Sequence, residues 1–454
     1  MKTKRLYIFP GIAFLFIFNF CAPKKEIPIT PETALQRYLD NGDKTFQWEV
    51  FESYDIENES VTAYDLILTS QQWREFVWKH QLTVLVPNEV AYDGALLFIT
   101  GGSVKNGEPN FSGHEDELAI NMAVVARKNK AIISIVRQTP NQPLYDDLVE
   151  DQLISFTLHN FKNDGDYTWP LLFPMVKSAV KAMDAIQQFS KKELGMEINR
   201  FIVSGASKRG WTTWLTGAND PRVTAIAPMV IDVLNMPVSL DYQIEVWKEY
   251  SVQIEDYVKL EIPQQVHTEN GDKITKMVDP YSYRQNLTMP KMIFIGTIDE
   301  YWPVDAIKNY YDSIPGENFI QYVPNAGHDL GDKRQAFQAI SSFLAFTLSN
   351  QSYPQCSWNL KESNPTILLA AYATPELLVD AIVWTSVSED RDFRDETWTS
   401  SSLSISHVEE VTTTIDYPET GFKAFYMDLK YIDPNGEEFV ESTRMFVTDS
   451  SHVL

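Results

Sequence analysis

The chain has 454 residues, 44% hydrophobic and 13% aromatic, long enough for two globular domains and too apolar to be disordered. A formal net charge of −24 excludes nucleic acid as a partner, because neutralising phosphates requires clustered Lys and Arg. Two cysteines and seven scattered histidines offer no metal-ligand spacing, and no cofactor is expected.

Lys2, Lys4 and Arg5 precede an apolar run from Leu6 to Phe20, followed by Cys21. A basic start and a short apolar run read as an export signal, since a spanning helix needs about 20 apolar residues. Cys21 at this place resembles the lipidated cysteine of bacterial lipoproteins, although Phe18-Asn19-Phe20 departs from the small residues usual before it. A lipid anchor on Cys21 is the one membrane contact expected, with the protein in the cell envelope or secreted.

Alternating apolar and polar residues over 47–86 predict leading antiparallel strands. The unbroken apolar run 95–100, ending at Gly101-Gly102, predicts a strand buried on both faces. A helix over about 115–128, a buried strand at 131–136 and a helix over 176–186 follow. Further strands are predicted at 201–204, 223–231, 291–295 and 319–323, with a helix after Ser207. Strands alternating with helices imply βαβ crossovers and a mostly parallel sheet. Two stretches, 138–174 and 235–290, exceed ordinary connections and are candidate lids or pocket walls.

After residue 349 come short β-branched and aromatic runs divided by turn signals such as Asp433-Pro434-Asn435-Gly436. This predicts a β-sandwich. Cys356 reads as a small apolar residue, and Trp358, Trp384 and Trp398 as sandwich core more than as sugar platforms. The chain thus divides into a signal (1–21), a linker (22–44), an α/β domain (45–350) and a sandwich-like β domain (351–454).

Residues 201–210 run from a β-branched strand into Gly205-Ala206-Ser207 and then a helix, the strand–turn–helix that presents a nucleophilic serine in α/β-hydrolases. Ser207 needs a base within hydrogen-bond reach, and His328 follows a strand in Asn325-Ala326-Gly327-His328. Asp299, just beyond the strand at 291–295, is the candidate acid that orients the imidazole; Asp232, at the end of the strand 223–231, is the alternative. Glu300 and Asp305 read as solvated acids at a helix start. Oxyanion donors are expected from the Lys208 N–H and from Gly102 or Ser103. Arg209 and Trp302 are candidate substrate contacts.

The usual elbow has glycine two residues after the serine; here Arg209 stands there and the glycine is Gly210. This pattern resembles the elbow of glucuronoyl esterases, where a basic residue after the serine lies at the oxyanion site. Lys208 or Arg209 then touches a substrate carboxylate, or Arg209 folds back onto a nearby acid.

Asn141-Gln142-Pro143-Leu144, Glu150-Asp151-Gln152-Leu153-Ile154, Trp169-Pro170, Pro174-Met175-Val176-Lys177, Gly205-Ala206-Ser207-Lys208-Arg209-Gly210-Trp211 and Ala227-Pro228-Met229-Val230-Ile231-Asp232 together resemble the PhoPQ-activated pathogenicity-related proteins. Trp384-Thr385 and Arg391-Asp392-Phe393-Arg394 extend the resemblance into the β domain. It implies an exported protein of α/β-hydrolase fold with an appended β domain, and no particular substrate. Relatives of that family include secreted growth-repressing proteins of social amoebae. The expected function is an exported serine hydrolase cleaving an ester or amide in a small-molecule, peptide or glycan-ester substrate. The alternative is a non-catalytic binding or signalling protein that retains the fold.

Overall fold

The computed structural model describes residues 28–56 and 59–454, so the export segment and Cys21 lie outside the described residues. Strands β1 (Gln47–Ile56), β2 (Val61–Trp73) and β3 (Phe76–Pro87) pair antiparallel. The strands β4 (Gly94–Ile99), β5 (Ile132–Val136), β6 (Arg200–Ala206), β7 (Val223–Met229), β8 (Lys291–Gly296) and β9 (Asn318–Val323) then run parallel to one another. Together they form one nine-stranded sheet in the order β1-β2-β3-β5-β4-β6-β7-β8-β9. Every residue of β4 and β5 is buried, as expected of central strands whose sequences are apolar but for Ser134.

Nine helices occupy the described residues around and between these strands: α1 (Pro31–Leu39), α2 (Glu117–Asn129), α3 (Glu150–Asp164), α4 (Leu172–Phe189), α5 (Lys208–Asn219), α6 (Met236–Trp247), α7 (Glu255–Val258), α8 (Glu269–Val278) and α9 (Arg334–Ser349). Alternate strand residues feed opposite faces of the sheet. Leu96, Ile133, Ile202 and Phe294 join a core with α2 and α9. Leu97, Val203 and Ile293 join the larger core on the other face, which takes side chains from α1, α3, α4, α5, α6 and α8.

The described part of the stretch 22–44, from residue 28 on, is not a plain linker. Thr30 and Thr33 form a capping box and Pro31 takes the first helical position, so a helix starts there despite the polar composition. Leu35 and Tyr38 are buried in the larger core, and the Tyr38 hydroxyl donates to Gln71 Oε1 at 2.8 Å. The two long stretches are helical as well: the first holds α3, the second α6, α7 and α8.

The C-terminal region is a sandwich of two antiparallel sheets. One joins β10 (Cys356–Ser363), β11 (Thr366–Ala373) and β14 (Glu410–Asp416); the other joins β13 (Thr399–Ser402), β12 (Leu378–Ser388), β15 (Phe422–Ile432) and β16 (Glu438–Ser442), with β17 (Phe446–Thr448) on β15. Leu369, Val411, Met427 and Phe439 lie between them, with Cys356 packed alongside. The tryptophans depart from expectation. Trp398 is buried in the hydrolase-side core, and Trp384 packs against that core from the sandwich. Trp358 bridges, touching both the hydrolase-side and the sandwich core. All three thus lie where the two parts meet.

Candidate active site

Ser207 is the single residue between β6 and α5, at φ 58° and ψ −129°. A non-glycine residue persists there only where its surroundings over-determine it. Its N–H donates to Met229 O at 2.9 Å, and its carbonyl accepts from Trp211 N–H at 2.9 Å. The displaced glycine has a physical account. A Cβ at Gly210 would lie 2.6 Å from Met229 O, so Gly210 is what lets α5 pack on β7. A Cβ at Gly205 would lie 2.9 Å from the Arg209 Cβ, and one at Gly101 2.7 Å from its guanidinium. Two glycines elsewhere make room for an arginine where the usual elbow has none.

His328 Nε2 lies 2.9 Å from Ser207 Oγ, and its Nδ1 lies 2.9 Å and 3.2 Å from the two carboxylate oxygens of Asp299. The ring stacks on Tyr301 at 3.9 Å between centroids, and the His328 N–H donates to Glu300 Oε2 at 3.1 Å. Asp299 is 5% exposed and also accepts the Tyr301 N–H at 2.8 Å. A carboxylate on Nδ1 keeps the proton on that nitrogen and leaves Nε2 to accept from the serine. Such an arrangement can take the Ser207 proton as the oxygen attacks a carbonyl.

Asp232 does not touch this chain. It is buried, and neither carboxylate oxygen has a well-formed hydrogen bond among the described residues, although the Tyr310 hydroxyl faces it. Burial, then the nearby charges of Asp299 and Asp305, push its carboxyl up to about 8. Asp305 is buried rather than solvated, accepting from the Tyr242 hydroxyl at 2.7 Å.

Arg209 folds back, as the second of its two expected placements has it. Its guanidinium pairs with both Glu150 oxygens at 2.7 Å and 2.6 Å, and its Nε donates to Thr139 O at 2.6 Å. Lys208 Nζ sits 3.0 Å from Glu150 and 3.0 Å from Asp151. Burial opposes ionisation of Glu150, but Arg209, Lys208 and Gln142 outweigh it and hold its carboxyl down at about 2. Two cations thus meet two anions, so both bases already hold carboxylates of the chain itself. Glu150 and Asp151 were missed as site residues, although both stand in the run 150–154 that helps carry the family resemblance.

Lys208 opens α5, so its N–H has no partner within the helix and lies directly after the nucleophile. Gly102 and Ser103 do not line the pocket beside Ser207. Gly102, at φ 144°, packs on Gln138, and Ser103 Oγ accepts from Asn110 at 2.6 Å. The pocket itself is a cavity of about 90 Å³ walled by Trp211, Met236, Leu240, Ile274 and Trp302, with Ser207, Lys208 and His328 at its edge. Trp302, the other expected contact, lies in that wall, and its indole N–H has no protein partner among the described residues.

The sheet order, the serine between β6 and α5 and the histidine loop after β9 define an α/β-hydrolase fold. An acetyl xylan esterase from Thermoanaerobacterium superposes with a TM-score of 0.50 at 16% identity, over 70% of this chain and 93% of the other. The sequence model of the PhoPQ-activated pathogenicity-related proteins matches residues 35–394, and the chain belongs to that family. It is also 30% identical to autocrine proliferation repressor protein A of Dictyostelium discoideum over 450 residues, covering 92% of this chain and 90% of the relative.

Proposed function

We propose that this chain is an exported serine hydrolase that cleaves an ester or amide bond. The reading rests on one observation, the unbroken hydrogen-bonded line Asp299–His328–Ser207 ending at a serine held in a left-handed turn. Ser207 attacks the carbonyl, His328 takes its proton and passes it to the leaving group, and Asp299 fixes the imidazole and stabilises its cation. The Lys208 N–H, at the start of α5, faces the developing oxyanion; one such donor is worth about 3 kcal/mol. Gly102 or Ser103 supplies the second donor only if their loop moves toward Ser207 on substrate binding. Cys21 carries a lipid that holds the protein at the cell envelope.

Labelling with a fluorophosphonate probe tests this. The native protein is modified on Ser207, and Ser207→Ala loses both label and turnover; undiminished labelling of that variant sinks the assignment. The name of the Dictyostelium relative favours a second reading, a secreted signal that keeps the fold. A Ser207→Ala protein that retained a growth-repressing effect would support it.

A further inference from the structure

We infer that the pocket beside Ser207 selects a short, uncharged acyl group, from acetyl to about butyryl, while leaving the other half of the substrate free in size. The inference rests on the serine hydrolase reading and adds the substrate class.

Three observations carry it. The first is volume: about 90 Å³ leaves room for about three non-hydrogen atoms at about 30 Å³ each. Second, the walls are apolar. Met236 and Leu240 come from α6, Ile274 from α8 and Trp211 from α5, all buried, so a carboxylate or hydroxyl placed among them loses its water and gains no partner. The third is charge. The charged residues at the rim besides His328 are Lys208 and Asp151, and Lys208 is already shared between Asp151 and Glu150. An acidic acyl group would bring a third anion beside Asp151 and Glu150, against a lysine they already neutralise.

The far side of His328 is built differently. A groove of about 600 Å³ runs past His328, Asp329, Lys333, Asp116 and Glu117. It is several times larger, sets those four charged side chains among apolar walls that include Phe98, Met229 and Phe337, and shares His328 with the pocket. The imidazole must hand its proton to the leaving group, so the leaving group lies on the side of the larger groove and the acyl chain in the small apolar pocket.

In the first half-reaction the Ser207 Oγ bonds to the acyl carbon and its proton moves to His328 Nε2. The bond from acyl carbon to the leaving oxygen or nitrogen then breaks, and that atom takes the proton. Water repeats the sequence on the acyl-serine and releases a short-chain acid. No electrons are exchanged with any co-reactant.

The test is kcat/KM on p-nitrophenyl acetate, butyrate, pentanoate, octanoate and hemisuccinate, with the full chain. Acetate and butyrate are expected to exceed octanoate by about tenfold or more, and hemisuccinate to fall below pentanoate, the neutral ester of equal chain length. Leu240→Ala and, separately, Ile274→Ala enlarge the pocket from two different helices, so loss of one variant to misfolding leaves the other. Each should raise octanoate relative to butyrate while fluorophosphonate still labels Ser207. Octanoate cleaved as well as butyrate by the native chain, or hemisuccinate as well as pentanoate, overturns the selectivity but leaves the hydrolase reading intact. Labelled Ser207 with no turnover of any ester also overturns it. Labelling and turnover that survive Ser207→Ala overturn the hydrolase reading first.

Discussion

Asn325 and Trp398 hold each other across the junction between the hydrolase sheet and the sandwich. Asn325 Nδ2 donates to Trp398 O at 3.0 Å, and the Trp398 N–H donates back to Asn325 Oδ1 at 2.8 Å. Asn325 has a left-handed φ of 56°, and its own N–H donates to Thr297 Oγ1 at 2.8 Å. One residue therefore ties the sandwich to the loop that ends in His328 and to the loop that ends in Asp299.

Asn325→Ala should slow fluorophosphonate labelling of Ser207 by about 10- to 100-fold, the effect of misplacing a reacting group by a fraction of an ångström to 1 Å. Stopped-flow labelling beside thermal unfolding checks it. A protein that loses stability but labels at the native rate shows that the contact is structural only.

The two candidate acids separate by mutation. Asp299→Asn removes the acceptor on Nδ1 and should lower kcat by about 10⁴-fold, whereas Asp232→Asn should leave it within about threefold. The reverse ranking in ester hydrolysis would transfer the role to Asp232.

Stability should fall as pH rises. Burial raises Asp232 to about 8 and Asp279 and Asp428 each to about 7. These groups keep protons in the folded state that the unfolded chain releases near about pH 4. Their contribution is therefore complete below about pH 4 and is lost as pH climbs through 7 to 8. Glu150 acts in the opposite sense, with its stabilisation lost only as pH falls toward about 2. Urea unfolding at pH 5 and pH 8 should show the native chain weaker at the higher value, and Asp232→Asn should narrow that gap.

Glu150→Gln leaves Arg209 and Lys208 short of an anion. Breaking a fully buried pair costs about 3–5 kcal/mol. The Glu150 side chain is 35% exposed, so screening reduces the expected loss to about 2 kcal/mol. Denaturant midpoints check this, and a loss below about 0.5 kcal/mol would mean that water replaces the carboxylate.

The strands, their mostly parallel pairing and the line Ser207, Asp299, His328 were legible in the chain because each leaves a local mark. Continuous apolar runs mark β4 and β5, and Gly205-Ala206-Ser207 marks the turn. The partner of Arg209 was not legible, since Glu150 stands 59 residues away and only the folded sheet brings them together. For the same reason the Asn325–Trp398 link, 73 residues apart, left no signal. Asp232 and Asp299 both follow strands, and pattern alone ranks them weakly; the direction of each side chain decides. The helix α1 was hidden by its polar composition, because its few apolar positions gain their meaning only when α8 and α4 lie against them.

That helix also fixes what can be removed. Beginning the chain at residue 45 deletes Leu35 and Tyr38 from the core, and a buried Leu→Ala change alone costs about 2–5 kcal/mol. Beginning at residue 29 keeps both. Comparing the thermal midpoints of the two shortened chains tests the role of α1 as part of the body.

Since α1 is docked from Pro31 onward, only residues 22–30 lie between Cys21 and the folded mass. Fully extended, nine residues reach about 30 Å. With lipid on Cys21, the protein could not sweep far from the bilayer. It would patrol a thin shell above the membrane, and its substrates would have to come to that surface or be part of it.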